Sequence, residues 1–207
     1  MKKKNRAFYE MKPLLTQTFG EVVCTPVLDH AEKIYDRLCR EHRLDPKAVK
    51  KITESDIYPC ISLYQALTAC GIDSKRAVTF LDDSWSKRAE KNAKMMRMAM
   101  KLPGMYKKMP AMFRFVAVHK FGEVAGFKAH YYHTEKNRVK FDMTKCLYCD
   151  VCKAEGCPEL VPCFCHTDDV NNGHLHPKLC WNRTKIMGDG GDVCDFDLYV
   201  VKDEPKK

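Results

Sequence analysis

Eight of the twelve cysteines fall between Cys146 and Cys194, and that crowding narrows the chain's options more than any other feature. In an oxidising compartment a dense thiol cluster is a disulfide scaffold. In a reducing one it is a metal site, a catalytic centre or packed core. The opening residues Met1-Lys2-Lys3-Lys4-Asn5-Arg6 are basic, but they lead into Glu10, Lys12 and Pro13, not into the apolar core of a signal peptide. No apolar run approaches the ~18 residues that span a bilayer. The expectation is therefore a cytoplasmic protein that keeps its thiols reduced and has no membrane span. With 207 residues, 45% of them hydrophobic, the chain is long and apolar enough to bury a core.

The 36 basic and 27 acidic residues leave +9, a moderate excess that falls short of a dedicated nucleic-acid-binding domain. A positive field of this size also suits a small carboxylate ligand. No repeat or low-complexity tract is present, so solenoids drop out.

The first two-thirds reads as helical. Thr25-Pro26 opens a pattern through Val27, Ala31, Ile34 and Leu38. A second runs from about Asp56 to Cys70 and stops at Gly71, and a third runs from Ser74 to about Lys101 with Ala77, Phe80, Leu81 and Trp85 on one stripe. A fourth helix is expected from Pro110 to Lys120. Short β-compatible runs follow at 127–133 and 138–143. Two further strands are expected at 179–187 and 193–201, joined by the glycine-rich Gly188–Asp192 as a hairpin. Helices first and hairpins later predict one α+β domain over 1–207, with helices on a small antiparallel sheet. Residues 1–10 and 202–207 are expected to be flexible.

Four constellations carry chemistry. The run Cys146, Cys149, Cys152 and Cys157 comes near the ferredoxin spacing, so zinc or an iron–sulfur cluster stands open beside plain core packing. In Cys165-His166-Thr167-Asp168, Cys165 and Asp168 share a helix face while His166 points elsewhere. A thiolate is a strong nucleophile, and a neighbouring carboxylate can move protons. Arg183 and Lys185 would face one side of a strand and fork a carboxylate, beside the close-approach backbone of Gly188 and Gly190. The Met-rich basic stretch 95–112 reads as a lid, an interface or a half-buried helix that can lie on anionic lipid or hold an acidic partner.

Together, Cys146-x-x-Cys149, Gly156-Cys157-Pro158-Glu159-Leu160, Phe164-Cys165-x-x-Asp168, Arg183-Thr184 and Gly188-x-Gly190-x-Asp192-x-Cys194-Asp195-Phe196 resemble the L-2-amino-thiazoline-4-carboxylic acid hydrolase family. A looser likeness is to 4-vinyl reductase domains, which implies a helical layer on an antiparallel sheet around a ligand. The first resemblance implies a cofactor-independent hydrolase that opens the ring of a 2-amino-thiazoline carboxylate at a cyclic C–N bond, giving a carbamoyl-cysteine. On that reading Cys165 is the nucleophile, unless water activated by Asp168 takes its place. Asp168 is the general acid/base, and Asp192 orients Arg183 or protonates the ring nitrogen. Arg183 clamps the substrate carboxylate, with Thr184, Gly188 and Gly190 helping to position it. The rival readings are a non-enzymatic small-molecule sensor and a cysteine-ligated metal protein. No oligomeric state follows from the sequence.

Overall fold

Apolar side chains occupy every face of the stretch from Tyr58 to Ala69, and a helix of that kind is stable only when enclosed. In the computed structural model, which describes residues 5–201, the elements follow in the order α1 Arg6–Phe19, α2 Glu21–Glu41, α3 Lys47–Ile52, α4 Tyr58–Ala69, α5 Ser74–Met100, α6 Met105–Lys120, β1 Lys128–Tyr131, β2 Arg138–Lys145, α7 Leu147–Ala154, α8 Val161–Asn172, β3 Leu179–Asn182 and β4 Cys194–Val200. The α4 segment is the enclosed one. Ile61, Leu63, Ala66 and Leu67 have no exposed surface, and α1, α2 and α5 pack around the helix.

Local chemistry sets the helix ends. Asp73 caps α5 by accepting from the amides of Lys75 and Arg76 at 3.0 and 3.2 Å. At the end of α4, Gly71 takes φ +83°, and the Ile72 amide turns back to the Leu67 carbonyl at 3.0 Å. Two starts lie earlier than proline placement predicts. Helix α2 begins at Glu21, with Pro26 inside it, and α6 begins at Met105, with Pro110 inside it. The carbonyl that Pro26 leaves without a donor belongs to Val22, which is 89% exposed, so water can satisfy it. Residues 6–10 are not frayed: they form the start of α1, with Phe8 and Met11 buried. Residues 1–4 and 202–207 lie outside the described part.

The sheet order is β1-β2-β4-β3, antiparallel throughout. In β2, Val139, Phe141 and Met143 alternate inward, and in β4 Cys194, Phe196 and Leu198 do the same, with Phe141 opposite Phe196 and Met143 opposite Cys194. Helix α6 lies over this face, where Phe113 stacks on Phe141 at 5.9 Å and meets Trp181 edge-on at 5.4 Å. Helices α5 and α8 pack on each other beside it. The third strand is shorter than its sequence pattern predicts. It ends at Asn182, and residues 183–193 form an irregular connection with a short 3₁₀ turn at Met187–Asp189. No described helix is long and apolar enough to cross a membrane.

Candidate active site

Strand alternation and helical periodicity bring the sulfur-rich segments to one place. The inward residues of β2 and β4 and one face of α8 enclose a cavity of about 300 Å³, completed by α5, α6 and the start of α7. Met143, Cys194 and Phe196 come from the sheet, and Cys165, Thr167 and Asp168 from α8. Cys165 and Asp168 both reach the cavity because three residues bring a helix back to the same face. His166 turns the other way and meets Asp82 on α5 at 2.9 Å.

Cys165 and Cys194 are hydrogen-bonded to each other, and the bond divides their roles. Cys194 also accepts the backbone amide of Met187 at 3.2 Å. The donated Cys165 thiol outweighs burial, and with the Met187 amide and the nearby Arg183 charge it brings the Cys194 thiol down to about 7. Cys165 is pushed the opposite way, first by its bond to Cys194 and then by burial. Cys194 is therefore the member of the pair that ionises near neutral pH, and Cys165 is its donor. No local motif carries this arrangement, because the two sulfurs belong to different elements.

Arg183 is buried, with 1% of its side chain exposed; both terminal nitrogens of its guanidinium are engaged by the protein's own groups, while its Nε has no hydrogen-bond partner among the described residues. It donates to Asp168 at 3.1 Å, to Asp169 at 2.6 Å and to the Cys165 carbonyl at 2.8 Å. It also sits over the Phe196 ring at 5.5 Å. It does not line the cavity, so the expected open carboxylate clamp is instead an internal brace beneath Asp168 and Cys165. Asp168 lines the cavity with 45% of its side chain exposed. Partial desolvation by the surrounding protein, opposed by Arg183 and reinforced by the neighbouring Asp169, lifts its carboxyl to about 6. The phenol of Tyr148, also at the cavity, is held protonated by burial and by the nearby Asp56 and Asp168 charges.

The remaining expected site residues serve the connection between β3 and β4. Thr184 donates its amide and hydroxyl to Asp195 at 2.8 and 2.6 Å. Asp192 is exposed and pairs with Lys185 at 3.3 Å, so it does not orient Arg183. Gly190 takes φ +90° in open space away from the cavity. Gly188 matters for a different reason from anion binding. A Cβ there would stand 2.9 Å from the Cys165 sulfur and 3.1 Å from Val161, so only glycine lets the loop close on α8. Gly188→Ala is therefore expected to displace Cys165 and the Met187 amide, and to raise the ionisation midpoint of Cys194. Thiol alkylation rate against pH reads that shift, and an unchanged midpoint would refute the packing argument.

The Cys146–Cys157 run divides into two hydrogen-bonded pairs, Cys146 with Cys149 and Cys152 with Cys157. Only Cys146 of the four reaches the cavity. Among the described residues, no three His, Cys, Asp or Glu side chains converge on a point that one metal ion would occupy. Two exposed cations line the cavity, Arg88 of α5 and Lys120 of α6, together with Asn92; the sequence offered Arg88 only as one of the basic residues around the methionines and Lys120 only as the end of a helix. Only their periodic placement on two long helices hinted at them, and that pattern is shared by every solvated lysine nearby.

A search of curated proteins finds no match to the chain. The family profile described as L-2-amino-thiazoline-4-carboxylic acid hydrolase matches residues 50–198, from α3 to β4 and so across every wall of the cavity. That span exceeds two-thirds of the chain, and the protein belongs to the L-2-amino-thiazoline-4-carboxylic acid hydrolase family.

Proposed function

We propose that the protein hydrolyses the ring of a 2-amino-thiazoline-4-carboxylate, or a close cyclic amidine, to a carbamoyl-cysteine, with Cys194 as nucleophile. The observation that carries this reading is that the Cys165–Cys194 pair and Asp168 line one small cavity, with Arg88 and Lys120 at its exposed edge. Cationic side chains at the opening suit the substrate carboxylate. Aromatic walls such as Trp85, Phe141 and Phe164 suit a flat five-membered ring.

In the proposed sequence the Cys194 thiolate adds to the amidine carbon between ring sulfur and ring nitrogen. The ring C–N bond then breaks as ionised Asp168 passes a proton drawn from the attacking water to the ring nitrogen, which keeps the bond's electron pair. Water adds to the same carbon and expels the Cys194 thiolate. The water oxygen stays on carbon as the carbamoyl oxygen, and both water hydrogens end on the former ring nitrogen. Asp168 relays these protons, taking one from water and passing it on. Cys165 donates to the Cys194 sulfur, which stabilises it both as resting thiolate and as leaving group.

The test is incubation with 2-amino-thiazoline-4-carboxylate and mass-spectrometric detection of a carbamoyl-cysteine, repeated across pH. Attack requires ionised Cys194, and proton relay begins from ionised Asp168. Activity therefore rises with pH through about 6 and 7, as these groups ionise, and levels off above. Between pH 8 and pH 6 kcat/KM is expected to fall about twentyfold. A profile that stays flat over that range removes both assignments. Saturable binding of the thiazoline without product would favour the sensor reading.

A further inference from the structure

The positive charge of this protein is concentrated in one place. Between residues 87 and 120 there are ten lysines and arginines and one acid, Glu90, while the whole chain carries +9. The rest of the chain is therefore electrically balanced, and α5, α6 and Lys101 between them hold the entire excess. Glu90 is itself taken up by an ion pair with Arg97.

The same two helices expose apolar side chains that a water-facing surface does not need. On α5, Met95 and Met98 are 64% and 70% exposed, and Leu102 follows just past the helix end. Lys91, Lys94 and Lys101 lie three or four residues from these positions and so share their face. On α6, Met112, Phe115, Val116 and Val118 are exposed, Phe115 at 63%, with Lys108 one turn away from Met112 and no Asp or Glu anywhere in the helix.

We infer that the α5–α6 face is a docking surface for an anionic lipid bilayer. Its charge calls for an anionic occupant. A second copy of the chain would set ten cations against ten, which opposes self-association through this face. Apolar side chains flanked by long, flexible lysines fit a fluid acidic surface, where methionine and phenylalanine enter the acyl boundary and ammonium groups reach the headgroups. Both helices also border the cavity mouth through Arg88, Val116 and Lys120. A docked molecule would hold its opening against the headgroup layer.

The experiment is vesicle flotation of the full chain, with phosphatidylcholine vesicles against phosphatidylcholine containing phosphatidylserine. Binding is expected with phosphatidylserine alone and is expected to weaken steeply with added salt. The triple variant Lys91→Glu, Lys94→Glu, Lys108→Glu is expected to lose roughly a hundredfold in partitioning. Met112→Ser with Phe115→Ser is expected to lose roughly tenfold. All five positions are exposed and none lines the cavity, so thiazoline turnover in free solution reports whether each variant is folded. Equal flotation with both vesicle types overturns the inference, as does a triple variant that binds like the parent. Tight capture of a polyglutamate peptide without any flotation would also overturn it, assigning the face to an acidic protein instead.

Discussion

Cys194→Ser is expected to lower kcat/KM for the thiazoline by about 10³-fold or more, with the fold intact. Serine keeps the shape and can still accept from the Met187 amide and from Cys165. Its hydroxyl, however, does not ionise near neutral pH, whereas the Cys194 thiol does so at about 7. Cys165→Ser separates the two sulfurs. Its hydroxyl can still donate to Cys194, so activity is expected to stay within about tenfold of the parent. Cys165→Ala removes the donor, and the acid limb of the pH profile is expected to move to higher pH. That displacement marks a positioning role, which a merely structural residue would not produce. If Cys165→Ser instead loses as much as Cys194→Ser, the nucleophile is Cys165.

Arg183→Met is expected to lower stability by about 2–4 kcal/mol, read from urea unfolding at neutral pH. The guanidinium is buried while Asp168 and Asp169 are each 45% exposed in their side chains, so part of the released charge is solvated and the loss falls below that of a fully enclosed pair. Asp169 keeps the Trp181 indole N–H at 2.8 Å, but Asp168 loses its ion pair. The sign of the pH dependence follows. Asp168 already has a folded-state pKa above its unfolded value, so its contribution to stability is greatest when protonated and is lost as pH rises through about 6. Without Arg183 that folded pKa rises further. The variant's deficit is therefore expected to shrink on acidification from pH 8 to pH 5. A deficit that does not change between pH 8 and pH 5 would show that Arg183 stabilises through packing alone.

Much of the fold was legible in the residues. The α+β class, the span of α5 and the stop at Gly71 follow from periodicity and caps, and the inward alternation of β4 follows from Cys194, Phe196 and Leu198. Prolines misled at Thr25-Pro26 and Pro110, since a helix can run through a proline; at Pro26 the exposed Val22 leaves the freed carbonyl open to water. The site was half legible. The three-residue step from Cys165 to Asp168 is local geometry, and both residues do reach the cavity. The pairing of Cys165 with Cys194 and the engagement of Arg183 by two aspartates are tertiary, and nothing in either segment announces them. Gly188 and Gly190 looked like anion-binding backbone. The amide that points into the site, at the Cys194 sulfur, belongs to Met187, and Gly188 lets the loop close on α8 beside it.

The pairing of Met143 with Cys194 across β2 and β4 ties reactivity to strand alignment. Side chains along a strand change sides at every step, so losing Asp195, the residue between Cys194 and Phe196, would turn the sulfur outward and bring Val193 to the hollow. Length changes in the 183–193 connection carry no such parity, although they would disturb the Met187 amide. Evolution can lengthen or reshape that loop by small increments, whereas the first turn of the final strand tolerates insertions only in pairs.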